Sequence, residues 1–203
     1  MKVAILISGR GSNMVALLDA MRAPGFPARP ALVLSNRADA AGLAHAASQG
    51  VPTAVVESRR RPREAFEAEL QASLAAHGVE LVALAGFLRV LTAGFVRAWE
   101  GRMINIHPSL LPSFPGLDTH ARALAGGVRL HGCTVHWVSP DVDDGPIIAQ
   151  AAVPVLSGDT EAALAARVLT QEHLLYPAVL AMVAGGATPR APAPDAALVN
   201  IRP

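Results

Sequence analysis

Residues 3–13 read Val3-Ala4-Ile5-Leu6-Ile7-Ser8-Gly9-Arg10-Gly11-Ser12-Asn13, and this stretch decides the fold. Its continuous apolar start, rich in β-branched residues, fits a strand covered on both faces. Gly9 and Gly11 then permit a tight turn and a close backbone approach to a ligand. The amphipathic run Asn13–Met21 follows, with Ser12 placed to cap it. A strand turning through glycines into a helix opens a mainly parallel α/β sheet, and the free N–H groups of that helix suit a phosphate. A dinucleotide site fits less well than a monophosphate. Met14 stands where a small residue would be needed, and Ser35-Asn36-Arg37 replaces the acid expected after the second strand. Taken alone, the loop reads equally well as an ordinary turn.

The alternation continues outward from this unit. Strands are expected at Ala31–Leu34, Thr53–Val56, Glu80–Ala85 and Met103–Ile106, and helices at Ala40–Gln49, Arg63–His77 and Ala93–Trp99. That spacing implies right-handed crossovers. The second half differs. A helix over Leu117–Ala125 precedes two strands, Cys133–Val138 and Ile147–Pro154, whose connection is too short for a helical crossover. This pair is therefore expected to be antiparallel. A long helix over Thr160–Leu180 closes the pattern, with Asp159 at its cap. One domain is expected over residues 1–185, and residues 186–203 form an Ala/Pro-rich tail in which Ala197–Ile201 is a candidate edge strand.

Composition supports a sizeable core, because 52% of the 203 residues are hydrophobic and only 16% are charged. A net charge of +1 gives no reason to expect a nucleic-acid partner. The lone Cys133 excludes an internal disulfide and a cysteine metal cage. The N-terminal apolar run is too short for a membrane span and lacks a cleavage pattern. A cytoplasmic protein without membrane association is expected.

The chemistry concentrates in Asn105-Ile106-His107-Pro108-Ser109-Leu110-Leu111-Pro112. Residues two apart share a strand face, so Asn105 and His107 project together where Pro108 ends the ladder. An amide donor beside an imidazole suits a reaction in which a carbonyl oxygen becomes an oxyanion. Asp143, in the loop Asp141-Val142-Asp143-Asp144-Gly145-Pro146, is placed to orient and charge an imidazole. No metal set accompanies it. Leu84-Ala85-Gly86-Phe87-Leu88-Arg89-Val90-Leu91 reads as one wall of a pocket for a flat ring, or as a buried strand with one solvated arginine. The run Arg59-Arg60-Arg61-Pro62-Arg63 lacks interleaved aromatics and reads as a solvated approach to a helix, from which one arginine can reach an anionic ligand. The other histidines, His45, His77, His120, His131 and His136, read as surface or structural groups.

Together these stretches resemble the folate-dependent phosphoribosylglycinamide formyltransferase family. The matching stretches are residues 7–13, 84–89, 105–112, Pro115-Gly116, His131-Gly132, 143–146 and Thr170-Gln171-Glu172-His173, in the family's order. The resemblance implies a three-layer, Rossmann-like α/β formyltransferase fold with a mainly parallel seven-stranded sheet and an antiparallel C-terminal part. It implies formyl transfer from 10-formyltetrahydrofolate, as co-substrate and without a metal, to the amine of glycinamide ribonucleotide. By position, Asn105, His107 and Asp143 match the catalytic set. Gly11, Ser12 and Asn13 match the phosphate loop, and Glu172 matches the acid at the glycinamide end. Arg63, Leu88, Arg89, Val90, Leu91 and Asn105 match the folate site. A monomer or weak homodimer acting on small molecules is implied.

Asp144 departs from the family's Asp-Gly-Gly, with an expected effect on loop flexibility or pH dependence. Asp118 stands where some relatives carry His.

Three rival readings remain. Formyltetrahydrofolate deformylases share the Asn-x-His and Asp elements but carry an extra N-terminal domain. Methionyl-tRNA formyltransferases carry a C-terminal tRNA-binding domain. Neither domain is expected here. A non-catalytic nucleotide-binding protein would leave Asn105, His107 and Asp143 unexplained.

Overall fold

The computed structural model describes residues 1–186. The elements alternate through the first half as β1 (Lys2–Ile7), α1 (Ser12–Met21), β2 (Arg29–Ser35), α2 (Ala41–Ser48), β3 (Thr53–Val55), α3 (Arg63–Ala76), β4 (Leu81–Leu84), α4 (Ala93–Ala98) and β5 (Met103–His107). They continue with α5 (Thr119–Ala125), β6 (Leu130–Trp137), β7 (Ile147–Pro154) and α6 (Glu161–Ala184). The strands form one seven-stranded sheet in the order β3-β2-β1-β4-β5-β6-β7. Every pairing from β3 to β5 is parallel, and β5–β6 and β6–β7 are antiparallel. The expected class and strand count hold. Ala197–Ile201 lies outside the described residues. Among the described residues, no helix is long and apolar enough to cross a membrane.

Side-chain alternation along β1 divides the core. Val3, Ile5 and Ile7 pack with Met14, Leu17 and Leu18 of α1 and Tyr176, Val179 and Leu180 of α6. Ala4 and Leu6 face the other way, onto Phe66, Leu70 and Leu74 of α3 and Phe95 of α4. Both faces of the central strands are therefore covered, which is why β1 and β4 read as unbroken apolar runs. β7, at the sheet edge, keeps only Ile148 and Val153 buried, and its other residues are partly or fully exposed.

Several boundaries differ from expectation, each for a local reason. Ser12 does not cap α1. It is the first helical residue, and Gly11 occupies the cap with a left-handed φ of 73° and no side-chain bond. Asp159 does not cap α6 either. Thr160 does, accepting from the Ala163 N–H, whereas Asp159 accepts from the Leu156 N–H and pairs with Arg167 at 2.7 Å. α5 starts two residues later than expected, behind Asp118 at a left-handed φ of 55°. β6 begins at Leu130 because its pairing with β7 already includes Leu130 with Pro154.

The strand order fixes where a ligand can bind. From β1 the chain moves outward to β2 and β3, then crosses back to β4 on the other side of β1. Loops diverge above the C-terminal ends of β1 and β4, leaving a crevice there.

Candidate active site

Two cavities open along that crevice. The larger, of about 710 Å³, is lined by residues 86–91 after β4, by Asn105 and His107 of β5, and by residues 116–120 and 138–143. The smaller, of about 400 Å³, is formed by Ser8–Asn13 with Arg37, Ala85, Gly86 and Leu88. Gly86 and Leu88 line both, so the cavities share a wall.

Asn105 and His107 lie on one face of β5, as their spacing requires. Antiparallel pairing sets Asn105 opposite His136 and His107 opposite Thr134. The Nδ1–H of His136 donates to the Trp137 carbonyl at 2.9 Å, which leaves Nε2 as an acceptor for the Asn105 amide at 3.1 Å. Burial lowers the pKa of His136 and so favours this neutral form. One amide hydrogen of Asn105 is thus fixed on His136, and the second is left for the cleft.

His107 is held from both sides. Its Nε2–H donates to the Phe114 carbonyl at 3.1 Å, and its Nδ1 lies 3.3 Å from Oδ2 of Asp143. In the imidazolium form both nitrogens carry protons and both face an oxygen. Oδ2 of Asp143 also accepts from the Gly116 N–H at 2.8 Å. Asp143 therefore joins the 114–118 loop to β5. Its backbone is left-handed, with φ 56°. Asp144 is exposed and needs no such conformation, so the residue that departs from the family pattern fits without strain. Gly145 is the demanding position, because a Cβ there would lie 1.7 Å from the Trp137 carbonyl oxygen.

At the smaller cavity, the first turn of α1 presents N–H groups without a side-chain cap, an arrangement that attracts an anion. Asn13, in that turn, donates from Nδ2 to Oε2 of Glu172 at 2.7 Å, and its buried Oδ1 has no partner among the described residues. Burial raises the pKa of Glu172, and the Asn13 bond works against that shift. Glu172 itself lines neither cavity and reaches the smaller one through Asn13.

The sequence model of the family described as formyl transferase matches residues 1–180. The chain belongs to the formyl transferase family. It is 45% identical over 187 residues to "Phosphoribosylglycinamide formyltransferase" of Escherichia coli K12, covering 92% of this chain and 88% of that one. It is 50% identical to "Trifunctional purine biosynthetic protein adenosine-3" of Drosophila pseudoobscura pseudoobscura, covering 93% of this chain but only 14% of that much longer protein. The crystal structure of phosphoribosylglycinamide formyltransferase from Brucella melitensis superposes with a TM-score of 0.87 at 51% identity, covering 94% of this chain and 98% of that one.

Not every expected site residue of this formyl transferase is drawn into a cavity. Leu88, Arg89, Val90 and Leu91 line the larger one, with Leu88 70% exposed at its rim. Arg63 opens α3 in solvent, outside the lining of both cavities. Arg89 is half-buried rather than solvated, with its guanidinium 6.0 Å from the centre of the Phe66 ring. His136 was not separable from the other histidines by spacing. Its signal would have been the cross-strand register opposite Asn105, which a sequence without a fixed hairpin does not disclose.

Proposed function

We propose that this formyl transferase moves the formyl group of 10-formyltetrahydrofolate to the amine of N1-(5-phospho-D-ribosyl)glycinamide, a step of purine synthesis. The observation that carries the reading is the convergence of Asn105, His107 and Asp143 on one wall of the larger cavity, which adjoins the phosphate-type loop at Gly86 and Leu88. The apolar wall 87–91 suits a flat heterocycle, and the uncapped turn of α1 suits a phosphate. The similarity to phosphoribosylglycinamide formyltransferases supports the same formyl acceptor.

In this reading the amine lone pair attacks the formyl carbon, and the carbonyl oxygen becomes an oxyanion. The free amide hydrogen of Asn105 and the His107 imidazolium stabilise that charge, and Asp143 holds His107 in place. The bond from the formyl carbon to the folate nitrogen then breaks, that nitrogen gains a proton, and the attacking amine loses one. Gly11, Ser12 and Asn13 hold the phosphate, Glu172 meets the glycinamide end through its contact with Asn13, and Arg63 and residues 88–91 hold the folate.

The test is formyl transfer from 10-formyltetrahydrofolate with and without the ribonucleotide, read by folate absorbance and product mass. Tetrahydrofolate formed only with the ribonucleotide, together with a formylated amine, is the expected result. Equal loss of formyl in its absence would make the enzyme a hydrolase instead.

A further inference from the structure

Glu67 of α3 is a buried acid with no part in the reaction described above, and it joins no ion pair among the described residues. Both of its oxygens serve one residue. Oε1 accepts from the Thr92 N–H at 2.5 Å, and Oε2 accepts from the Thr92 hydroxyl. Thr92 in turn caps α4, its hydroxyl oxygen accepting from the Phe95 N–H at 3.3 Å. In a capping box the third helical residue, a Glu or Gln, reaches back to the N–H of the cap. Phe95 occupies that position and is buried in the core, so it offers no acceptor. Glu67 supplies the missing acceptor from another helix.

What this contact holds is one wall of the larger cavity. Residues 87–91 lie between β4 and α4, outside any helix or strand. Among the described residues, no hydrogen bond joins their main chain to another main-chain group. Side chains from elsewhere fix the wall instead. Near its start, the Leu88 N–H donates to the Ser8 hydroxyl at 2.7 Å. That hydroxyl donates to Oδ1 of Asn36 at 2.6 Å, and Nδ2 of Asn36 donates to the Ser58 hydroxyl at 2.9 Å. The Phe87 ring stacks on Phe66 of α3, with centroids 6.4 Å apart. Nη2 of Arg89 donates to the Arg61 carbonyl at 3.3 Å. At the far end Thr92 is held by Glu67. An irregular segment without main-chain bonds depends on such posts for its position, and losing one frees that end.

We propose that Glu67 is a positioning residue for the formyl donor: by fixing Thr92, it sets the place of the apolar wall 88–91 against which the folate lies. The inference rests on the reading of the larger cavity as the folate site. Glu67 lines neither cavity, and its hydrogen bonds among the described residues go to Thr92 and not to the loop 8–13. Its loss should therefore weaken one substrate and spare the other.

The experiment measures KM for both substrates, with calorimetric binding of tetrahydrofolate in parallel. In Glu67→Ala, KM for 10-formyltetrahydrofolate should rise about tenfold, the scale of a lost hydrogen bond to a carboxylate. Tetrahydrofolate should bind more weakly by the same factor. KM for the ribonucleotide and kcat should stay as in the wild type. Glu67→Gln keeps an acceptor for the Thr92 N–H and a partner for its hydroxyl, and should retain the wild-type folate KM. A rise in both KM values, an unchanged folate KM in Glu67→Ala, or a Gln variant as impaired as the Ala variant would overturn the proposal. If Glu67→Ala does not fold, Thr92→Val removes the hydroxyl and keeps the N–H. It should raise the folate KM alone by about fivefold, and an unchanged folate KM overturns the proposal. A wild type that binds tetrahydrofolate but transfers no formyl would sink the transferase reading, and the binding comparison between wild type and Glu67→Ala would still decide the role of Glu67.

Discussion

Asn105 donates its amide to the Nε2 of His136 across the β5–β6 pair, so a neutral histidine sets the direction of the amide that faces the cleft. Removing the amide and removing its support should have different costs. Asn105→Ala takes away the proposed oxyanion donor, and kcat should fall ~10²–10³-fold. His136→Leu leaves the amide present but unanchored, and kcat should fall about tenfold, the equivalent of one buried hydrogen bond. Steady-state kinetics with both substrates checks the pair. A His136→Leu enzyme as impaired as Asn105→Ala would show that His136 does more than orient.

Asp143 joins His107 to the loop through Gly116. Asp143→Asn keeps an acceptor for the Gly116 N–H and tolerates the left-handed backbone, but loses the charge beside the imidazole. Turnover should drop roughly 10²-fold, the scale of a charge-assisted contact, while thermal stability changes little. A large loss of melting temperature with normal kcat would instead make Asp143 a loop fastener.

His131 should make the fold sensitive to acid. Burial, reinforced by the neighbouring His120 and His107, depresses its pKa from 6.5 to about 4. Above pH 6.5 the ring is neutral whether the chain is folded or unfolded, and it contributes nothing to pH dependence. As pH falls from 6.5 towards 4, the unfolded chain takes up a proton that the folded one refuses, so stability is lost across that window and the loss levels off below it. The melting temperature of His131→Gln should therefore fall less steeply than that of the wild type between pH 6.5 and 4. Parallel curves would refute this.

Tyr176, on α6, is fully buried, and its hydroxyl donates to the carbonyls of Leu84 at 2.9 Å and Ile104 at 3.2 Å. Tyr176→Phe removes a donor from two carbonyls, one ending β4 and one inside β5, and urea unfolding should show a loss of about 1–2 kcal/mol. No change in midpoint would mean that water satisfies those carbonyls.

Much of this molecule is legible in its residues because the signals are local. The unbroken apolar run of β1, the Gly9-x-Gly11 turn and the short 139–146 connection each state their own geometry, and together they give the mainly parallel sheet with its antiparallel end. The pairing of Asn105 with His107 on one face follows from the two-residue repeat. What the sequence withholds is set by register and long-range packing. His136 meets Asn105 only through β5–β6 pairing, the Ser8–Asn36–Ser58 chain joins three separate loops, and the His120–His131 contact at 3.2 Å joins α5 to β6. Capping misleads in the same way. Ser12 and Asp159 have the right chemistry one residue from the true cap, and the backbone turn decides between neighbours.

The Tyr176 and Glu172 contacts also bear on how the enzyme comes into being. Asn13 waits for a partner 159 residues further along the chain, and the Leu84 carbonyl waits for one 92 residues away. A nascent chain on the ribosome holds Asn105, His107 and Asp143 before α6 has been made, but not the helix that supplies Glu172 and Tyr176. The complete set of contacts therefore arrives late in synthesis, and a truncated product lacking α6 would carry Asn105, His107 and Asp143 but leave Asn13 without Glu172.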